Sequence, residues 1–184
     1  MNREVNEYVF FFGGIYSQWA NSLIKEGDLK FNCAEQYMMY YKAILFGDLY
    51  NAEEIMKSSD PSEQKSIGRR IKGFNQDKWD IFKYQIVYWG NYLKFTQNSY
   101  FAKILLEDHK DKIIVEGSPT DKIWGVGIDW LDPRIDDPKN WQGENLLGKA
   151  IMDVRDTLLK EKNNEYNKNT EQKKYDYTAF RKVD

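Results

Sequence analysis

The chain is short of the residues that build cross-links and metal sites. Its 184 residues include one cysteine, Cys33, and one histidine, His109. A single cysteine excludes an internal disulfide, and with one histidine there are too few ligands for a zinc site. Long apolar runs are also missing, since no stretch approaches the roughly 20 residues that a membrane-spanning helix needs. The N-terminus, MNREVNEYVFFFGG, is charged, its apolar stretch is short, and it lacks a small-residue cleavage signal. Nor is there an excess of one charge. The formal net charge is −2, which argues against nucleic-acid binding by bulk electrostatics while leaving a local basic patch open. These absences lead us to expect a soluble, cytoplasmic protein with no membrane partner.

The length suits one domain with a real core. Tyr8 to Phe12 is a short β-like run ending at Gly13-Gly14, and a second extended piece surrounds Lys30 to Asn32. From Ala34 the pattern turns helical, with Tyr37, Met38, Tyr41, Ile44 and Leu45 at helical spacing until Gly47. Ala52 to Lys57 predicts a short helix. Asp60-Pro61 opens another, running through Ile67 and Ile71 to Gly73. Lys78 to Lys94 predicts a longer amphipathic helix, Ser99 to Leu106 a further one, and Ile113 to Val115 a strand. A final helix starts near Asn145 and presents Leu147, Ile151, Val154 and Leu158 on one face. Beyond Lys160 the composition becomes polar, as expected of a solvated extension. No internal repeat and no linker between two cores is visible.

Candidate chemistry concentrates in two places. Glu35 and Lys42 are seven residues apart on one predicted helix, about 700° of rotation, so they share a face. A carboxylate and an amine beside apolar surface acquire shifted pKa values suited to proton transfer or amine nucleophilicity; two exposed helix charges is the plainer reading. The other place is Glu116 to Arg155, loop-like and cut by prolines and glycines, yet carrying Trp124, Trp130 and Trp141. A loop with three indoles folds back over a core or over a ligand. Asp121, three residues before Trp124, is either a second acid or an Asx-turn residue that organises the loop. Trp79 and Trp124 suit stacking on a planar base or core packing. Arg69 and Arg70 suit phosphate or a solvated face. His109 lies in the charged stretch EDHKDK and is given little weight.

The strings KFNCAEQYMMYYKAILFGD, IGRRIKGF, KWD, YLKFTQN, VEGSPTDKIWGVGID and NWQGENLLGKAIMDVR occur in that order. Together they resemble the NADAR/YbiA-like N-glycosidase family. The resemblance implies a single compact YbiA-like domain over residues 1–159, mainly α with a small β component (α+β), followed by a polar extension over residues 160–184. It implies neither a metal nor an organic cofactor. It also implies hydrolysis of the N-glycosidic bond between ribose and an amino group of a nitrogen heterocycle. The substrates so implied are phosphoribosylamino-pyrimidine intermediates of riboflavin synthesis, or ADP-ribose on guanine, including ADP-ribosylated nucleic acid. Matched position by position, the catalytic candidates are Glu35, Lys42 and Asp121. The substrate-binding candidates are Ser17, Trp19, Arg69, Trp79, Lys94, Glu116, Trp124, Asn145 and Arg155. Gln18 stands where the family usually has asparagine. Two routes remain open: an imine through the lysine, or direct attack of water on an oxocarbenium ion. The alternative from another class is a module that binds ADP-ribose or a nucleotide without cleaving it.

Overall fold

A computed structural model describes residues 2–166. The run Tyr8–Phe11 (β2) is the central strand of a three-stranded sheet. Asn2–Val5 (β1) pairs with it antiparallel on one side, and a late strand, Ile113–Glu116, pairs parallel on the other. Val9, Phe10 and Phe11 are fully buried. Val9 and Phe11 join the main helical core, whereas Phe10 packs with Val115, Val126, Ile128 and Ile135 in a second, smaller cluster. A strand covered on both faces reads as a continuous apolar run without alternation, as this one does. β1 was not expected from its charged sequence. As an edge strand it is held by its ladder with β2 and by Arg3, whose guanidinium meets Asp136 and the Trp130 carbonyl oxygen and lies over the Phe10 ring.

A hairpin of Ile24–Glu26 (β3) and Leu29–Phe31 (β4) follows, turning at Gly27 with φ +57°. Its second strand overlaps the expected extended piece, and its first, three residues long, carries no readable periodicity. Then come Ala34–Leu45 (α1), Leu49–Lys57 (α2) and Pro61–Gly68 (α3), capped by the side chains of Cys33, Asp48 and Asp60. The third helix was expected to reach Gly73 but stops at Gly68. The Lys72 N–H donates instead to Asp48 Oδ2 at 2.8 Å, which draws the chain off the helical path. The late strand of the sheet is β5, after Gln76–Gln97 (α4) and Ser99–Lys103 (α5), which runs on into a π turn.

His109 closes that turn, its N–H on the Ile104 carbonyl oxygen. Although it lies in the charged stretch EDHKDK, its ring is buried between the Tyr16 hydroxyl and Glu4. The last helix, Leu146–Tyr166 (α6), packs on α4 and β5, while α1 packs on α2, α3 and α4. The protein is thus mainly helical with a small β component. Among the described residues no helix is long and apolar enough to cross a membrane.

The irregular stretch between β5 and α6 folds back over the second face of the sheet. Trp130 and Trp141 pack against its cluster, and the Trp141 indole donates to the Ile135 carbonyl oxygen at 2.7 Å. For these two indoles the covered surface is core. The polar extension expected from residue 160 begins inside α6. Residues 167–184 of that extension lie outside the described residues.

Asn145 joins β5 to α6. Its side chain accepts from the Glu116 N–H at 3.0 Å and donates to the Ile114 carbonyl oxygen at 2.9 Å, in the manner of a neighbouring strand. One turn on, Gly148 lies so close that an added methyl would stand 2.1 Å from the Ile114 carbonyl oxygen and 2.5 Å from Asn145 Nδ2. Gly148→Ala is therefore expected to destabilise the protein by about 1–3 kcal/mol. Urea unfolding followed by circular dichroism measures this, and an unchanged midpoint would mean that α6 shifts freely on β5.

Candidate active site

β2 and β5 run in the same direction and end level, Phe11 opposite Glu116. Parallel strands with diverging loops leave a crevice beyond their carboxyl ends, the usual place for a ligand in such sheets. After β2 the chain turns at Gly13 and Gly14, both at positive φ, and reaches Ser17, Gln18 and Trp19. After β5 comes the loop of Asp121. The N-terminus of α1 completes the arrangement, because the Glu35 N–H donates to the Gln18 carbonyl oxygen at 2.9 Å. Gln18 itself turns inward, its amide oxygen accepting from Asn91.

Two acids from different elements are forced together here. Glu35 is 2% exposed. Burial pushes its carboxyl up to about 7, against the attraction of Lys65 and Arg69 and a hydrogen bond from Trp19, and with repulsion from Asp121. Glu116 is driven up to about 8, first by burial and then by the charge of Asp121, with Lys65 opposing and Glu35 adding to the shift. Although Glu116 is partly exposed as a residue, its Oε2 is enclosed. Neither that oxygen nor Glu35 Oε1 has a hydrogen-bond partner among the described residues.

Lys42 lies within electrostatic reach of Glu35. Burial lowers its pKa, Glu35 raises it, and Arg69 lowers it again. Its ammonium donates to the Gly68 carbonyl oxygen at 2.9 Å and stands over the rings of Phe74, at 4.5 Å, and Trp79, at 5.3 Å. Trp79 is thus buried beneath the amine.

The remaining candidates divide by what they touch. Trp19 is exposed, beside Glu35 and with the Lys65 ammonium over its ring. It also borders, with Ser17, Gly13, Gly14 and Phe101, a hollow of about 350 Å³. Lys94 is wholly buried and donates to the Ser17 carbonyl oxygen at 2.8 Å; burial lowers its pKa to about 7. It supports the turn that carries Trp19. Asp121 Oδ1 accepts from the N–H groups of Ile123 and Trp124, so it organises its loop while repelling both acids. Trp124, half-buried, packs against the main core. Asn145 contacts the backbone of Glu116, and Arg155 donates to the carbonyl oxygens of His109 and Lys112.

Sequence reasoning passed over Lys65 and Phe74. Lys65 precedes Arg69, the residue that caps the end of α3, by four residues, a helical spacing that brings the two cations to one side. Phe74 ends the string IGRRIKGF without any periodic partner to mark it. Among the described residues no group of three or more His, Cys, Asp and Glu side chains is arranged to hold a metal ion.

Raised carboxyl values set the sign of the pH dependence. Between the ordinary 4.5 and about 7 for Glu35, or about 8 for Glu116, the folded chain holds protons that the unfolded chain has released. Stability is therefore fully present below about 4.5 and declines as pH rises through that window, by up to roughly 1.4 kcal/mol per pH unit for each acid. Glu35→Gln should flatten the decline and be more stable than the parent at pH 8. Urea titrations across pH 4–9 test it, and parallel curves for the two proteins would contradict the burial of a titrating Glu35.

The comparisons with known proteins agree with one another. The NADAR domain family model matches residues 8–159. The chain is 44% identical over 167 residues to N-glycosidase R617 of Acanthamoeba polyphaga mimivirus, covering 83% of this chain and 97% of that protein. It is 28% identical over 145 residues to N-glycosidase Npun_R5314 of Nostoc punctiforme, covering 79% and 85%. The NMR structure of the E. coli protein YbiA superposes with a TM-score of 0.71 at 23% identity, covering 94% of each chain, a likeness of fold. An acid pair and an amine gathered at the end of two parallel strands thus sit on a YbiA-like scaffold, and the chain belongs to the NADAR domain family.

Proposed function

We propose that this protein is an N-glycosidase that acts in the cytoplasm and hydrolyses the bond between C1′ of a ribose and an amino group on a nitrogen heterocycle. The observation that carries this reading is the pair of enclosed carboxyls, Glu35 and Glu116, with pKa values near 7 and 8, beside an amine whose pKa burial lowers. Groups that change protonation near neutrality suit general acid–base catalysis. The names of the mimivirus and Nostoc relatives support the same reaction class. A module that only binds its ligand has no need for two enclosed acids held partly protonated at a destabilising cost.

In the proposed reaction the exocyclic nitrogen pushes its lone pair toward C1′, the C1′–O4′ bond breaks, and O4′ takes the proton of Glu35. Neutral Lys42 then adds through Nζ to C1′ of the open imine. A proton passes from Nζ to the heterocycle nitrogen by way of the Glu35 carboxylate, the C1′–N bond breaks, and the heterocycle leaves with its amino group intact. Water adds to the protonated lysine imine and gives one proton back to the Glu35 carboxylate. The other passes from the new hydroxyl to Nζ as the C1′–Nζ bond breaks, and the freed sugar closes its ring. One water is consumed and the protein is restored. Glu116, protonated above neutrality, donates a hydrogen bond to a sugar or phosphate oxygen. Burial favours the protonated form of both acids, and the charge of Asp121 adds to that. Trp19 offers an exposed ring for the heterocycle, and Lys65 with Arg69 meets the phosphate. The substrate class is a phosphorylated ribosylamino compound, either a phosphoribosylamino-pyrimidine or ADP-ribose on guanine.

Both substrates, each incubated with the protein and followed by mass spectrometry for freed heterocycle and sugar phosphate, test the reading. Glu35→Gln and Lys42→Arg should each lower turnover by at least about 100-fold with the fold retained. Borohydride should trap a sugar adduct on Lys42 in the parent protein. A Lys42→Arg protein that turns over at the parent rate removes the imine route and leaves direct hydrolysis by the acids.

A further inference from the structure

The Lys42 amine is enclosed by groups from several segments. Trp79, in the first turns of α4, lies 5.3 Å from Nζ, and the Gly68 carbonyl oxygen at the end of α3 accepts from it at 2.9 Å. The nearest ring is Phe74, with its centroid 4.5 Å away, in the connection between α3 and α4. Phe74 is 42% exposed, outside the main core, and its ring meets Phe46 at 5.2 Å. The preceding residue, Gly73, has φ +69°, a left-handed turn that sets the direction of the chain into Phe74. A surface phenylalanine after such a turn contributes little to the core. The Lys42 ammonium stands over its ring face. The charged groups acting on that lysine are Glu35 from its own helix and Arg69 from the segment after α3.

We propose that Phe74 is a positioning residue for Lys42: its ring holds the amine between Trp79 and the Gly68 carbonyl oxygen and keeps water off it. Two physical effects act in opposite directions. The ring face attracts the ammonium, favouring the charged form. The apolar cover removes water, favouring the neutral form. Burial is the largest influence on Lys42, ahead of its charged neighbours, and cover is the effect we assign to the Phe74 ring 4.5 Å from the amine. The inference rests on Lys42 as the nucleophile of the proposed reaction, but the state of its amine is measurable without substrate.

The test compares Phe74→Ala, Phe74→Leu and Phe74→Tyr with the parent. In the absence of substrate, the rate of Lys42 acylation is followed against pH by peptide mass spectrometry. With substrate, the acid limb of the pH–rate profile and the yield of borohydride-trapped adduct are measured. Phe74→Ala should move the amine titration and the acid limb upward together by about one pH unit, lowering turnover near neutrality about tenfold. Its thermal midpoint should change little. Phe74→Tyr should match the parent, and Phe74→Leu, with cover but no ring face, should titrate at or below the parent value. The proposal is overturned if Phe74→Ala titrates like the parent, or if Phe74→Tyr behaves like the alanine variant. A parent protein that hydrolyses substrate without a trapped adduct refutes the nucleophile reading instead, while the acylation titration still decides the role of Phe74.

Discussion

Everything at the candidate site depends on the pairing of residues 8–11 with residues 113–116. It joins a strand near the N-terminus to one that follows four of the large helices. A parallel pair needs a long crossover, and here the crossover is most of the domain. Once paired, the strands end together, so the turn of Ser17–Trp19 and the loop of Asp121 leave from neighbouring points. Asn145 fixes the pairing from the other side by acting as a further strand along β5. Its φ of +54° suits asparagine, which enters the left-handed region more readily than most residues.

That pairing has an electrostatic consequence. Bringing the end of β5 against the start of α1 encloses Glu35 and Glu116 within reach of each other and of Asp121. Burial first, and then the charge of Asp121, makes these two acids resist ionisation. Lys65, Arg69 and the Trp19 hydrogen bond relieve the strain on Glu35 without cancelling it. The surplus appears as protons retained near neutrality, and the same surplus lowers stability as pH rises. The raised carboxyl pKa values and the loss of stability with rising pH have one cause.

Lysines show how position decides chemistry. Lys94 and Lys42 both lie at least partly away from water, and burial lowers the pKa of each. Lys94 is sealed in the interior, its amine directed to the Ser17 carbonyl oxygen and beside the rings of Phe95 and Phe101. It braces the turn that presents Trp19. Lys42 is only partly enclosed and is coupled to Glu35 and Arg69.

Local pattern alone determined the helices. Ala34 to Leu45, the Asp60-Pro61 start and the long helix through Trp79 follow from spacing, caps and breakers, which are properties of neighbours in the chain. The shared face of Glu35 and Lys42 was legible for the same reason, as were the ordered strings that mark the family. What neighbours cannot encode needed the tertiary structure. Only the packed chain sends His109 inward to Tyr16, ends α3 at Gly68 through Asp48, and directs Trp130 and Trp141 to a second core. The division of the motif residues was equally hidden, since Asn145 and Arg155 lie in the same string yet hold backbone, whereas Lys65 and Phe74 stand beside the acids and the amine. Enclosure and electrostatic coupling arise between segments far apart in the chain, so they exist only once β2 and β5 have met.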